Sequence, residues 1–286
     1  MRFRAALAFL AAMLVVGCAS GGAATPSPSV SAAAASEPAT SPSVVPSVKP
    51  AALTIYGAAS LKTVLDRVKT AYQTANPGTT LTISTDSSSA LEMQIEQGAP
   101  ADVFLSADTT NPKKLVDGGF ASGDPVNFAG NKLTIIVPKG DPAGISSPLD
   151  LAKSGVKVIA AGDAVPIAKY AKQLVDKLAT AAGAPADFAA KYAANVVSKE
   201  DNVKAVVGKI ELGEGDAGIV YVTDAKASDK VDTVDVPDPE NVPATYAGVV
   251  TKASQNQDAA KAFLEWFAGP EGEAILGQFG FLPPTS

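Results

Sequence analysis

The chain has 286 residues, no histidine, one cysteine and a formal net charge of −6 from 23 basic and 29 acidic side chains. Without His, neither a Ser-His-Asp nor a Cys-His nucleophile can be built, nor a His-based metal site. The acidic balance argues against nucleic acid or an anionic membrane surface as partner, although a small anion answers to the local field of its site rather than to the total.

Met1-Arg2-Phe3-Arg4 opens the chain, an apolar run over 5–16 follows, and Gly17-Cys18 closes the segment. A secretory signal over 1–17 is expected, because the apolar run is too short for a typical membrane span. Loss of Arg2 and Arg4 with it takes the formal charge from −6 to −8. Val15-Val16-Gly17-Cys18 resembles the lipobox of bacterial lipoproteins. That resemblance implies cleavage before Cys18 and lipid on its sulfur and new amino group. Residues 18–50 are almost entirely Ala, Ser, Pro, Gly, Thr and Val, so a disordered or partly extended tether is expected. Residues 51–286 suffice for one large domain or two of about 100–150 residues.

The folded part begins with a strand over 53–56, the turn Gly57-Ala58-Ala59, and a helix from Ser60. Leu61, Val64, Leu65 and Val68 fall at i, i+3, i+4 and i+7 spacing. Ser60 therefore stands at the N-cap or first turn, where free N–H groups and the helix dipole favour an anion. Taken alone, an ordinary Ser cap explains it more simply. After the turn Asn76-Pro77-Gly78, a strand is predicted over 80–84. Ser87-Ser88-Ser89 then leads into a helix with Leu91 and Ile95 on one face and Glu92 and Glu96 on a polar face, ended by Gly98. Further strands are predicted over 102–106, 133–137, 156–160, 195–197, 217–222, 231–236 and 244–250. Helices are predicted over 111–117, 147–153, 166–183, 185–192, 257–267 and 270–277. One more begins near Asp201, a natural N-cap, with Val203, Val206, Val207 and Ile210 on one face.

Alternating strands and helices on short connections predict an α/β fold with mostly parallel sheets covered on both faces. Ligands of such sheets sit beyond the carboxyl ends of strands, at helix N-termini. Four helix starts follow short apolar runs, at Ser60, Ser88, Pro166 and Asp201, and Tyr221 ends an apolar strand. They offer hydroxyl and backbone N–H donors, and none of these places carries Lys or Arg. Donors without acceptors suit a fully ionised oxyanion. Individually, Ser88 also fits a polar turn, Tyr221 a core aromatic, and Val203 a core residue by its side chain. The one Ser-x-x-Lys, at Ser154 and Lys157, opens a strand rather than a helix, and neither Gly-x-Gly-x-x-Gly nor a P-loop occurs. The carboxylate pairs Glu200/Asp201 and Glu214/Asp216 fall at caps and turns. Nothing positive points to an enzyme.

Six motifs then form a set: Gly57-Ala58-Ala59-Ser60-Leu61; Ser87-Ser88-Ser89 followed by Gln94-Ile95-Glu96-Gln97-Gly98-Ala99-Pro100-Ala101-Asp102-Val103-Phe104; Ser106-Ala107-Asp108; Gly162-Asp163 with Val165-Pro166; Glu200-Asp201 with Val203; and Gly218-Ile219-Val220-Tyr221 with Asp224-Ala225. In order and spacing, over about 53–281, the set resembles the molybdate-binding component of bacterial ABC transporters. The resemblance implies a two-lobed type II solute-binding fold, with 53–131 plus 247–286 as one lobe, 132–246 as the other, and hinge crossings near Lys132 and Tyr246. It implies molybdate or tungstate between the lobes, held by the hydroxyls of Ser60, Ser88 and Tyr221 and the backbone N–H groups of Ile167 and Val203. No cofactor is expected. The partners would be the oxyanion, an ABC importer permease, and the membrane through the lipid anchor alone, with the protein a monomer outside the cytoplasm. Val165-Pro166-Ile167-Ala168 stands where the family often has Val-Pro-Ala-Gly, so the donor there can shift by one residue. Asn202 stands between Asp201 and Val203, where some members run on directly. The alternatives are the same fold with sulfate or phosphate and, from another class, a lipoprotein enzyme.

Overall fold

The computed structural model describes residues 49–284; the expected signal segment, Cys18 and the tether up to residue 48 lie outside them. The first lobe starts with β1 (Ala52–Ala58), a 3-10 turn (Ala59–Leu61) and α1 (Lys62–Ala75). Leu53 and Ile55 of β1 point inward by strand alternation, and α1 buries Val64, Leu65, Val68 and Tyr72 against them. Gly57 permits that approach: a Cβ there would meet Leu65 Cδ1 at 2.5 Å. β2 (Thr80–Asp86), α2 (Ser88–Glu96), β3 (Val103–Ser106), α3 (Thr110–Asp117) and β4 (Val126–Asn131) follow.

The chain then enters a second sheet. It carries β5 (Leu133–Pro138), a 3-10 turn (Pro148–Ala152), β6 (Val158–Ala161), α4 (Pro166–Leu178), α5 (Phe188–Asn195) and β7 (Val196–Glu200). α6 (Val203–Glu211), β8 (Ala217–Tyr221), α7 (Val222–Lys226) and β9 (Val231–Val234) complete it. Finally β10 (Ala244–Val250) returns to the first sheet, and α8 (Gln257–Ala268) and α9 (Pro270–Gln278) close the chain.

The two sheets share one plan. Their strand orders are β2-β1-β3-β10-β4 and β7-β6-β8-β5-β9. In the first, β1 pairs parallel with β2 and β3, while β10 runs antiparallel to β3 and β4. In the second, β6 pairs parallel with β7 and β8, while β5 runs antiparallel to β8 and β9. Four of five strands in each sheet thus share a direction, but only half of the pairings are parallel, so the sheets are mixed. In each case the reversed strand is the one that has just crossed from the other lobe.

One crossing is at Lys132, between the end of β4 and the start of β5. The other lies between Val234 and Ala244, because Tyr246 already sits inside β10 opposite Ala129. The expected boundary at Tyr246 is therefore too late. The buried Asn241 clamps this return segment to the start of β5, accepting from Leu133 N at 3.0 Å and donating to Leu133 O at 2.9 Å. The two crossings consequently run side by side.

Other differences have local causes. β4 has no counterpart in the sequence reading, since Asn127, Gly130 and Asn131 break its apolar pattern. α4 ends at Leu178, short of Gly183, and α5 begins at Phe188 rather than 185. The N-cap of α6 is Asn202, whose side-chain oxygen accepts from Ala205 N at 3.1 Å, and not Asp201. Glu92 leaves its supposed polar face: it is 2% exposed and paired with Lys114 at 3.2 Å, and burial raises its pKa. Among the described residues no helix is long and apolar enough to cross a membrane.

Candidate functional site

Each lobe turns helix starts toward the other. Ser60 lies in the 3-10 turn after β1, Ser88 is the first residue of α2, Ile167 the second of α4, and Val203 the first of α6. Tyr221 ends β8 and leads into α7. All five line one cavity, together with Ala107 and Asn202. None of the five is more than 5% exposed. The space they line is about 10 Å³, near the least that holds one water. A tetrahedral anion can enter only if the lobes part. No Lys, Arg, Asp or Glu lines this cavity.

The backbone donors are set by helix geometry. The first N–H groups of a helix have no intrahelical acceptor. Pro166 opens α4 without an N–H, so Ile167 carries the first donor of that helix. Ala168, the one-residue alternative, already donates to Val165 O at 3.0 Å. Val203 carries the first N–H of α6.

The hydroxyl protons are directed by groups behind them. Ser88 Oγ accepts from Ala107 N at 3.0 Å, which leaves its own proton for the cavity. Ser60 is not a cap; its Oγ makes no cap bond and lies 3.0 Å from Tyr246 Oη. Asn131 Nδ2 donates to Tyr246 Oη at 3.4 Å and to Thr223 Oγ1 at 2.8 Å. With its oxygen so occupied, Tyr246 has its proton for Ser60, and the Ser60 proton is free to point inward. Tyr221 is the exception: its Oη donates to Ala107 O of the first lobe at 3.5 Å, a long bond that an anion acceptor would replace, and its ring sits edge-on between those of Tyr170 and Tyr246.

Burial holds these phenols neutral. The pKa values of Tyr221 and Tyr246 are pushed well above the ordinary 10.0, first by burial and then by neighbouring charge. Burial pushes Tyr170 up to about 12. A raised folded-state value means that the unfolded chain loses its proton first. The associated stability is complete below pH 10 and declines as pH rises through the folded values. The thermal midpoint is therefore expected to fall progressively above about pH 10, with phenolate absorbance rising only as unfolding proceeds. Phenolate appearing ahead of unfolding would contradict this.

Polar links span the lobes beside the cavity. Lys169 of α4 reaches Asp108 Oδ2 at 3.2 Å, and Asn202 Nδ2 donates to Asp86 Oδ1 at 3.1 Å. Asp108 is fixed by Ser106 Oγ and Asn111 N–H, both donating to Oδ1 at 3.0 Å. In the second lobe, Lys204 Nζ lies 3.0 Å from the fully buried Asp224, whose pKa burial raises. That pair ties the start of α6 to the corner after Tyr221.

The sequence reading found five residues that do come together. It missed the groups behind them, Ala107, Asn131 and Tyr246, and the link from Asn202 to Asp86. Ala107 falls within the Ser106-Ala107-Asp108 motif, but no local pattern marks what any of these groups supports, since each meets its partner only through the sheet topology. Among the described residues there is no cluster of three or more His, Cys, Asp or Glu able to hold a metal ion.

Residues 53–282 match the family described as bacterial extracellular solute-binding protein. A molybdate-binding protein ModA of Mycobacterium bovis is 33% identical over 233 residues, covering 81% of this chain and 85% of the relative. A putative ABC transporter substrate-binding lipoprotein, YvgL of Bacillus subtilis, is 33% identical over 231 residues, covering 80% and 85%. Among solved structures, the Azotobacter vinelandii periplasmic molybdate-binding protein superposes with a TM-score of 0.68 at 25% identity, covering 82% of this chain and all (100%) of that one.

Proposed function

The chain belongs to the bacterial extracellular solute-binding proteins, and from that premise we propose that it captures molybdate, and tungstate equally, between its lobes for an ABC importer. The observation that carries this reading is the convergence of five buried donor residues, from both lobes, on one narrow cavity without a charged side chain. Hydrogen bonds to a charged partner contribute about 1.5–3 kcal/mol each. Five gross roughly 8–15 kcal/mol, against about 12 for a nanomolar ligand. Desolvation and lobe closure lower the net, yet no Lys or Arg is needed.

Selectivity follows from the donor-only lining. Molybdate and tungstate are fully ionised and accept at every oxygen. Hydrogen phosphate would turn its own proton toward donors and leave it unpaired. Sulfate is smaller and would stretch every bond. Calorimetry against the four anions is the test. Molybdate and tungstate are expected within about tenfold of each other, and sulfate and phosphate weaker by about a hundredfold or more. Sulfate bound as tightly as molybdate would sink the assignment.

In this reading the lobes close about the crossings at Lys132 and 235–243, so molybdate reduces the small-angle scattering radius. Lys169 and Asp108 then act as a latch. Lys169 is 38% exposed, so screening limits the pair to about 0.4–1 kcal/mol. Lys169→Ala is expected to speed molybdate release about two- to fivefold in stopped-flow displacement. Added salt should accelerate release from the wild type more than from the variant; equal salt dependence would count against the latch. The protein works outside the cytoplasm as a monomer, held to the membrane by lipid on Cys18 through the tether 18–50.

A further inference from the structure

Of the three site hydroxyls, Ser60 alone has its direction set by side chains. Ser88 accepts from the Ala107 N–H and Tyr221 donates to the Ala107 carbonyl, and a backbone group cannot exchange donor for acceptor. Ser60 Oγ has one partner among the described residues, Tyr246 Oη at 3.0 Å, and either hydroxyl is able to donate to the other. If Tyr246 donates, the Ser60 proton is left for the cavity. If Ser60 donates, the cavity meets a lone pair instead. That one choice decides whether this corner of the site is a donor or an acceptor.

Asn131 makes the choice. It is buried at the end of β4, and its Oδ1 accepts from Lys132 N at 2.9 Å. This bond fixes which way the amide faces. Nδ2, and not Oδ1, is thereby turned to Tyr246 Oη at 3.4 Å and to Thr223 Oγ1 at 2.8 Å. The Tyr246 ring packs edge-on or tilted against Phe128, Tyr221 and Phe281. Among the described residues its proton therefore has Ser60 as its one acceptor. Building on the oxyanion reading above, on which this rests, we infer that Asn131 is a positioning residue for anion selectivity: its amide sets the direction of the Tyr246–Ser60 bond and so excludes oxyanions that carry a proton.

Asn131→Asp keeps the shape and inverts the chain. A carboxylate has no proton to give, so the Tyr246 and Thr223 hydroxyls turn to donate to it, and Lys132 N–H still does. Three donors satisfy the buried group and favour its ionised form. Tyr246 Oη then accepts from Ser60, and Ser60 offers a lone pair to the cavity. The added negative charge weakens every dianion, so the readout is a ratio of affinities. Molybdate, sulfate and phosphate are titrated calorimetrically into wild type and variant at mildly alkaline pH, where only phosphate keeps a proton. Relative to molybdate, phosphate is expected to gain about tenfold or more in the variant, while sulfate stays within about threefold. Tyr246→Phe adds no charge and frees the same oxygen. Ser60 also lines an interlobe cleft of about 290 Å³, with room for a water to take its proton. There the phosphate ratio is expected to gain about threefold or more. Circular dichroism reports the fold, and Tyr246→Phe decides alone if the aspartate variant does not fold. A phosphate ratio that moves no more than the sulfate ratio in the folded variants overturns the role of Asn131. Failure of the wild type to bind molybdate would instead overturn the oxyanion reading, and this inference with it.

Discussion

Replacing Ser60 and Ser88 together by alanine is expected to weaken molybdate binding by about 10²–10⁴-fold. Each serine gives up one hydrogen bond to a doubly charged ligand, at about 1.5–3 kcal/mol apiece. Neither loss can be made good locally. Ser88→Ala also strands the Ala107 N–H that now donates to Oγ, and Ser60→Ala strands the Tyr246 hydroxyl. The two serines share one ligand, so their effects need not add, and the single variants should be measured beside the pair. Calorimetry gives the affinity, and circular dichroism shows whether the fold is kept. A loss below tenfold in a folded double variant would mean that the serines are turn residues and nothing more.

Val203→Pro is the second large effect, and it isolates a backbone donor. Proline removes the N–H but is tolerated at the first position of a helix, where that group has no intrahelical acceptor. The residue before it must be extended, and Asn202 already is, at φ −157° and ψ 169°. Helix α6 should therefore survive, while molybdate affinity falls by about 10- to 100-fold. Val203→Ala is the control: it keeps the donor and loses only packing, so affinity should hold within about threefold as stability drops. If proline and alanine gave the same affinity, the start of α6 would not be a ligand donor.

Much of the fold was legible because its elements announce themselves. Leu53 to Tyr56 alternates as a strand, and α1 carries its apolar stripe at helical spacing. What stayed hidden was of two kinds. β4 lost its signal to Asn127, Gly130 and Asn131, which are there for pairing and crossing rather than for a hydrophobic pattern. Glu92 read as solvated because its partner, Lys114, is 22 residues away on another helix. The site divides in the same way. The donors sit at helix starts, and helix starts can be read locally. Their supports cannot, since Ser60 meets Tyr246 across 186 residues and Asp108 meets Lys169 across 61. Asn202 shows both sides at once: one amide oxygen caps α6, a local role, while its nitrogen reaches Asp86 on the other lobe.

The clamp between Asn241 and Leu133 has a mechanical consequence. It ties the long return segment down, so that only Val242 and Pro243 are left to span the gap beside Lys132. Two short straps lying side by side, each rooted in a strand bonded on both flanks, behave as a flexure joint. Such a joint bends easily in one plane and resists twist and shear. Opening then has one soft coordinate, and the donors of the two lobes come back into register each time the jaws shut. Releasing the clamp, by Asn241→Ala, would lengthen one strap and leave the jaws able to close askew.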